Sequence, residues 1–186
     1  ALSIYRQAAS LDNTNPRIFS SIGYLYANLG DYSSAVQAYQ QAITLAPDNP
    51  VFYYGLGYAF ANIGDNENAI NAYKKAVSLQ PNNPDNLIAL GVLLLRSERY
   101  QEVETFAQSA IALAPKNETA YDIMATALYQ QGKNKETITF LQETLNKFPQ
   151  NQELRLKLAI AYIKDEQLAN GLQELKIVDE SQPNNP

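Results

Sequence analysis

The sequence predicts an all-α protein built from antiparallel helix pairs that repeat along the chain. The first observation is a period: Pro16, Pro50 and Pro84 follow one another at intervals of 34 residues, and Glu118 and Gln152 continue the register. A period of this length indicates a stack of identical supersecondary units that share one core. The second observation is that apolar residues within each period fall on one stripe of a first helix and one stripe of a second.

The stretch 50–83 shows this pattern most clearly. Its signature residues are Tyr53, Leu56, Gly57 and Phe60 at positions 4, 7, 8 and 11, then Ala69, Tyr73, Ala76 and Pro81 at positions 20, 24, 27 and 32. Glycine inside a helix costs about 1 kcal/mol relative to alanine, so Gly57 indicates that another helix approaches closely there. A single hairpin cannot bury both of its faces, and we expect each one to stack on its neighbours.

These spacings and size classes resemble the tetratricopeptide repeat. The resemblance implies a right-handed superhelix of antiparallel pairs, in which the first helices line the inner face. It also implies that this inner face, chiefly positions 2, 5, 9, 12 and 13, binds partner proteins.

Taken in order, the chain is expected to form eleven helices in one solenoid domain, residues 1–186. Residues 1–15 form the second helix of a half repeat, since Ala1, Tyr5 and Ala8 have the spacing of positions 20, 24 and 27. Five full repeats follow, at 16–49, 50–83, 84–117, 118–151 and 152–185. The motif NNP at 184–186 repeats the NNP at 82–84. We therefore expect the sequence to be a window from a longer protein.

The helix ends are predicted from local chemistry. Asparagine precedes each first helix and can cap its free amides; these residues are Asn15, Asn49, Asn83, Asn117 and Asn151. Proline at the first helical position follows three of them and loses no hydrogen bond there. Gly30-Asp31 and Gly64-Asp65 predict turns within hairpins, with a left-handed glycine that ends one helix and an aspartate that caps the next.

The later repeats depart from the pattern. Glu98 and Arg99 replace the Gly-Asp turn, and Thr137 and Thr144 replace the two small residues of the fourth repeat. Arg155 stands at position 4 of the fifth repeat, where the family has a large apolar residue. We therefore expect a weaker or more exposed C-terminal unit.

Composition argues against several functional classes. The 14 Lys and Arg residues against 19 Asp and Glu give a net charge of −5, which argues against a nucleic-acid partner. Histidine and cysteine are absent, so imidazole, thiolate and ordinary zinc chemistry are excluded. The nearest paired carboxylates, Glu102 with Glu104 and Asp165 with Glu166, lie in polar helix starts or turns. We expect no catalytic residue, cofactor or metal, and a soluble domain that is cytoplasmic or tethered to a membrane by a segment outside this window.

The inner-face positions predict an apolar, aromatic groove with a polar row beside it. The predicted partner-binding residues are Tyr24, Asn28, Tyr54, Tyr58, Asn62, Ile88, Val92, Leu95, Arg96 and Tyr129. Family members that clamp a terminal carboxylate use Lys at position 5 and Asn at position 9, and neither stands at its position here. The alternative is that some of these residues are buried between neighbouring helices, or covered by a segment outside the window.

The leading function is therefore a non-enzymatic scaffold or assembly factor that binds a segment of a partner protein in this groove. The resemblance includes bacterial photosystem and pilus assembly factors. A first alternative is the substrate-recruiting part of a larger enzyme, such as a glycosyltransferase. A second alternative is self-association through the solenoid ends, where Ile4 and Leu172 are expected to lack a covering helix.

Overall fold

The computed structural model describes residues 1–180, and every regular element within them is an α-helix. This confirms the all-α prediction. The eleven helices of the described part are α1 (Leu2–Leu11), α2 (Pro16–Asn28), α3 (Tyr32–Leu45), α4 (Pro50–Ile63), α5 (Asn66–Leu79), α6 (Pro84–Arg96), α7 (Tyr100–Leu113), α8 (Glu118–Gln130), α9 (Asn134–Lys147), α10 (Gln152–Lys164) and α11 (Leu168–Glu180). The NNP motif at 184–186, on which the expectation of a longer protein rests, lies outside the described residues.

The helices form two compact units, Ala1–Ser97 and Glu98–Pro186. In the first unit consecutive helices pack on each other, from α1 on α2 through to α5 on α6. Helices α2 and α4, the first helices of their repeats, also touch. In the second unit α7 to α11 pack in the same sequential way, and α8 also touches α10. Sequential packing of this kind is what stacked hairpins produce. The single solenoid domain over 1–186 stays a prediction.

The five asparagine caps form as predicted. Each asparagine side chain accepts a hydrogen bond from a backbone amide of the first helical turn. The acceptors are Asn15, Asn49, Asn83, Asn117 and Asn151, at distances of 3.1, 3.0, 2.9, 3.1 and 2.9 Å. These caps satisfy amides that have no partner within the helix, which fixes where each first helix begins.

The turns inside the hairpins also follow local chemistry. Gly30 and Gly64 have φ angles of 78° and 90°, in the left-handed region. Asp31 then caps α3 by accepting from the Ser34 amide at 3.1 Å, and Asp65 caps α5 through Asn68 at 3.3 Å. Glu98 after α6 and Glu166 after α10 adopt left-handed φ angles of 57° and 62° without glycine.

Replacing Glu166 with glycine is expected to raise the free energy of unfolding by about 0.5–1 kcal/mol. A left-handed backbone costs an L-residue about 1–2 kcal/mol, and glycine's larger entropy loss offsets part of the gain. The measurement is the urea denaturation midpoint. Glu166→Ala is the matched control, since it removes the same exposed side chain and keeps the strain. A glycine variant no more stable than the alanine variant would contradict the prediction.

Most signature residues are buried, with two exceptions among the tyrosines. Tyr39, Tyr73, Tyr121 and Tyr162 are in the core, whereas Tyr26 and Tyr53 are only half-buried. The two threonines that replace small residues are also buried. Each hydroxyl donates to the backbone carbonyl four residues earlier, Thr137 to Lys133 at 2.9 Å and Thr144 to Phe140 at 2.7 Å. Burial of these hydroxyls therefore leaves no unpaired polar group.

Arg155 itself is largely buried, although the last helix, α11, buries only Gly171 among its residues. The arginine side chain is only 15% exposed, because the guanidinium Nη1 forms an ion pair with Glu174 of α11 at 2.8 Å. Its Nη2 atom donates to the Pro149 carbonyl at 2.9 Å. Arg155 therefore occupies a position where the repeat pattern has an apolar residue, and its charge is paired with that of Glu174.

The apolar residues expected at the solenoid ends are partly uncovered. Ile4 and Tyr5 on α1 and Leu172 on α11 are exposed, whereas Ala8, Leu175 and Val178 are half-buried. Self-association through these helices stays a prediction.

Candidate functional site

The first unit exposes two tyrosines at equivalent places on neighbouring helices. Tyr24 on α2 and Tyr58 on α4 both occupy position 9 of their repeats, and they are 61% and 44% exposed. Helices α2 and α4 pack directly on each other. The two rings therefore stand on adjacent helices of one surface. We call Tyr24, Tyr54 and Tyr58, with the hydroxyl ends of Tyr39 and Tyr73, the tyrosine surface.

Tyr39 lies beneath this surface, between α2 and α4. A Cβ atom at Gly55 would lie 2.3 Å from Tyr39 Cζ and 2.7 Å from its hydroxyl oxygen, and one at Gly23 would lie 3.0 Å from Cδ2. The ring therefore extends from one helix to the other, in space that two glycines leave open. Burial raises the pKa of Tyr39 to about 12, and the nearby hydroxyls of Tyr24 and Tyr58 raise it further. At neutral pH the Tyr39 hydroxyl therefore keeps its proton and can donate a hydrogen bond.

Aromatic contacts hold the rings of Tyr54 and Tyr58 in place. The ring centroids of Tyr54 and Tyr73 are 5.5 Å apart, and those of Tyr32 and Tyr58 are 6.1 Å apart, both in edge-to-face geometry. Such pairs contribute about 0.5–1.5 kcal/mol beyond the area that they bury. Burial, followed by the neighbouring hydroxyls of Tyr54 and Tyr58, raises the pKa of Tyr73 well above its ordinary value. For Tyr54, burial is again the main cause of a raised pKa, followed by the Asp85 carboxylate.

The other residues predicted for this unit are less available than expected. Ile88, Val92 and Leu95 on α6 are half-buried, whereas Arg96 and Asn28 are exposed.

Asn62, a predicted partner-binding residue, uses part of its hydrogen-bonding capacity within its own helix. Its side-chain amide donates to the Tyr58 carbonyl at 2.8 Å.

Among the predicted residues of this unit, the structure brings Tyr24, Tyr54 and Tyr58 together as one surface, and the half-buried apolar residues of α6 lie at its border.

The second unit contains a separate cavity of about 220 Å³ that includes the last predicted residue, Tyr129. Its lining residues are Ala125, Thr126, Tyr129, Gln130, Thr137, Lys157 and Ile160. Small-molecule sites usually measure about 300–1,000 Å³, so this cavity is smaller than a typical ligand site.

Charges around this cavity are already paired. The Lys157 ammonium forms an ion pair with Asp122 and donates to the Thr126 hydroxyl at 3.0 Å. The Lys164 ammonium lies 5.4 Å from the centroid of the Tyr129 ring. The cavity therefore offers an apolar interior with neutralised polar edges.

Sequence reasoning missed Tyr32, Lys157 and the hydroxyl ends of Tyr39 and Tyr73. One signal was available for the two core tyrosines. A tyrosine at position 24 opposite a glycine at position 8 carries a hydroxyl that needs a hydrogen-bond partner or solvent, which phenylalanine would not need. For Lys157, at position 6, the repeat pattern contains no signal.

Within residues 1–180, no helix is both long and apolar enough to cross a bilayer. The same residues contain no group of three or more acidic side chains placed to hold a metal ion.

Comparison with known proteins places these features in a family. Residues 1–184 match the family model described as the cilia and flagella-associated protein 70 C-terminal domain, a tetratricopeptide-repeat family. The chain belongs to this tetratricopeptide-repeat family. The resemblance predicted from the signature positions is thereby confirmed. No curated protein sequence is significantly similar to the chain.

Solved structures show the same fold at low sequence identity. YrrB, described as a TPR protein with an unusual peptide-binding site, is 18% identical with a TM-score of 0.84, over 100% of this chain and 95% of YrrB. MamA from Desulfovibrio magneticus RS-1 is 19% identical with a TM-score of 0.83, over 92% and 97% of the two chains. Another MamA structure is 23% identical with a TM-score of 0.84, over 90% and 92%. The fold is that of a protein–protein interaction module, a class that is typically non-enzymatic.

Proposed function

We propose that the protein is a non-enzymatic scaffold that binds a segment of a partner protein on the tyrosine surface of its first unit. The observation that carries this proposal is the exposure of Tyr24 and Tyr58 on neighbouring helices. Exposed aromatic surface of this kind is typical of interaction sites. YrrB, a protein of similar fold described as having a peptide-binding site, supports a peptide as the class of ligand.

The energetics of the surface favour binding. Tyrosine supplies a large contact area and one hydrogen bond, and it is enriched among the residues that dominate binding energy. The contacts of Tyr58 with Tyr32 and of Tyr54 with Tyr73 hold these rings before any partner arrives. Little side-chain entropy is then lost on association, which leaves more of the contact energy as affinity.

A random peptide library displayed on phage tests this proposal. Peptides selected on the wild-type protein are expected to bind Tyr24→Glu/Tyr58→Glu at least roughly 30-fold more weakly, because losing two aromatic anchors costs about 2 kcal/mol or more. The measurement is the dissociation constant of synthetic versions of the selected peptides, by isothermal titration calorimetry.

The matched control is Leu29→Glu, which places the same charge on a side chain that is 70% exposed at the end of α2. Circular dichroism checks that all variants keep their helix content; the loss of the Tyr32 contact is expected to lower stability only modestly. If the selected peptides bind the double variant as tightly as the wild type, the partner site lies elsewhere and the proposal fails.

A further inference from the structure

We propose that the cavity between α8, α9 and α10 of the second unit binds one neutral aromatic ring, the group that a phenylalanine side chain or a small aromatic molecule would supply. The site lies outside the tyrosine surface and does not depend on the proposed function. Three features carry the proposal: the walls of the cavity, the rings that fill the equivalent place in the first unit, and the pairing of the polar groups in its lining.

The cavity has a buried floor and an open rim. Its floor includes Ala125 and Thr137, each only 1% exposed, whereas Ile160 at the rim is 42% exposed and Gln130 is exposed. A group can therefore enter from the surface. An apolar cavity of about 150 Å³ is large enough to bind benzene. The volume here, about 220 Å³, accommodates one ring and the carbon that links it to a backbone.

The first unit shows which groups fill the equivalent place. Three tyrosines meet there, where α2, α3 and α4 come together. Tyr39 fills the space between α2 and α4. The Tyr32 ring of α3 packs edge-to-face on the Tyr58 ring of α4, with centroids 6.1 Å apart. In the first unit this junction is therefore filled by aromatic rings.

The second unit has lost these three rings. Three repeats later in the sequence, the equivalent residues are Asn134, Leu141 and Ile160. None of these side chains carries a ring. Lys157 in place of Gly55 and Tyr129 in place of Ala27 restore part of the lost volume. The cavity is the part that stays unfilled, so a bound ring would replace one that the first unit supplies from its own chain.

The polar groups of the lining favour a neutral ligand. The Lys157 ammonium is paired with the Asp122 carboxylate and also donates to the Thr126 hydroxyl at 3.0 Å. The buried Thr137 hydroxyl donates to the Lys133 carbonyl at 2.9 Å. Because these groups are already paired, a charged ligand would lose its hydration without gaining a partner.

Tyr129 distinguishes an aromatic ring from an aliphatic side chain of similar size. Its side chain lines the cavity, so a bound ring would pack against it. Aromatic pairs gain energy beyond the area that they bury, and an aliphatic ligand forgoes this gain. The Lys164 ammonium, 5.4 Å from the centroid of the Tyr129 ring, helps to hold this wall of the cavity.

Small soluble probes test the proposal with the full chain. N-acetylphenylalaninamide carries the ring on a peptide-like backbone, toluene is the free ring, and N-acetylleucinamide is the aliphatic control. The measurement is the dissociation constant from amide chemical shifts in two-dimensional NMR, with Ala125 and Thr137 as reporters of the cavity. We expect saturable shifts with N-acetylphenylalaninamide and toluene. N-acetylleucinamide is expected to bind about two- to tenfold more weakly than N-acetylphenylalaninamide, the usual contribution of one aromatic pair.

The two aromatic probes separate the two sources of the ring. Binding of both supports a side chain of a partner protein as the occupant, because the peptide-like backbone then fits at the rim. Binding of toluene alone supports a small aromatic molecule.

A variant that returns two of the missing rings assigns the binding to the cavity. Asn134→Tyr/Ile160→Tyr restores the pair that Tyr32 and Tyr58 form in the first unit, and we expect it to abolish binding of both aromatic probes. Leu156→Tyr is the matched control, since it adds the same ring to α10 at a side chain that is 41% exposed and lies outside the cavity lining. It is expected to leave binding unchanged. Circular dichroism checks the helix content of both variants.

Tyr129→Leu gives a second test, because it removes the aromatic wall and keeps an apolar one. N-acetylphenylalaninamide is expected to bind this variant about two- to tenfold more weakly, whereas the affinity for N-acetylleucinamide is expected to stay the same. A merely loosened fold would weaken the binding of both probes alike.

Three results would overturn the proposal: shifts that do not saturate with either aromatic probe, equal affinity of the wild type for the phenylalanine and leucine probes, or full binding by the Asn134/Ile160 variant. Tyr24→Glu/Tyr58→Glu is expected to leave the binding of N-acetylphenylalaninamide unchanged, since these residues belong to the first unit. The scaffold function of the tyrosine surface and the ring site can therefore fail separately.

Discussion

Tyr39→Ala is expected to lower the free energy of unfolding by about 3–5 kcal/mol, the usual cost of removing a buried aromatic ring. The ring is only 6% exposed and fills the space between α2 and α4. Gly23 and Gly55 on its two sides have no side chain that could move into the cavity. The measurement is urea denaturation followed by circular dichroism.

Two further variants show whether this cost comes from the ring and its position. Tyr39→Phe keeps the ring and is expected to cost less than about 1 kcal/mol, since its hydroxyl has no partner in the described part of the chain. Gly55→Ala would bring a methyl group within 2.3 Å of Tyr39 Cζ. Such overpacking costs about 1–3 kcal/mol, against a gain of about 1 kcal/mol in helix propensity. A Tyr39→Ala variant as stable as Tyr39→Phe would show that the ring does not hold the two helices together.

Much of the fold could be predicted from the sequence because its determinants are local. The five asparagine caps and the left-handed turns at Gly30 and Gly64 depend on residues within one helical turn of each other. Helix pairing follows from the 34-residue period, because each hairpin must cover the apolar face of the next. These features need no knowledge of distant contacts.

The candidate site was less predictable because it depends on which helix approaches which. Signature positions identified Tyr39 as a core residue, but its neighbours Gly23 and Gly55 belong to two different repeats. Only the packing of α2 against α4 shows that the ring lies between them. The same limit applies to Val92, which was predicted to be available and is half-buried in the structure.

Arg155 shows a different limit, since its side chain needed a partner that the repeat pattern does not specify. Position 4 is normally apolar, and an arginine there predicted a weaker or more exposed C-terminal unit without indicating any partner for the charge. The structure instead pairs it with Glu174, 19 residues later on α11. A salt bridge between two helices is a property of the individual sequence, and a periodic pattern contains no information about it.

The ion pair between Arg155 and Glu174 yields the second large expected effect. Glu174→Ala is expected to lower the free energy of unfolding by about 2–3 kcal/mol. Breaking a buried pair typically costs about 3–5 kcal/mol, and the side chains here are 15% and 18% exposed, so water reduces the penalty. The loss arises because the variant leaves a guanidinium largely buried without its counter-charge. The measurement is again urea denaturation.

The double variant Arg155→Leu/Glu174→Leu is expected to be at least as stable as the wild type, although Glu174→Ala is not. Well-packed apolar side chains often equal or exceed a buried ion pair, because neither charge has to leave water. The substitution also removes the Arg155 Nε atom, which is enclosed and has no hydrogen-bond partner within residues 1–180. An unpaired buried donor costs about 1–3 kcal/mol. Leucine at position 4 in addition restores the apolar residue that the repeat pattern places there. If the double variant is instead less stable than the wild type, the ion pair contributes net stability to the packing of α11 on α10, and the desolvation argument is wrong for this pair.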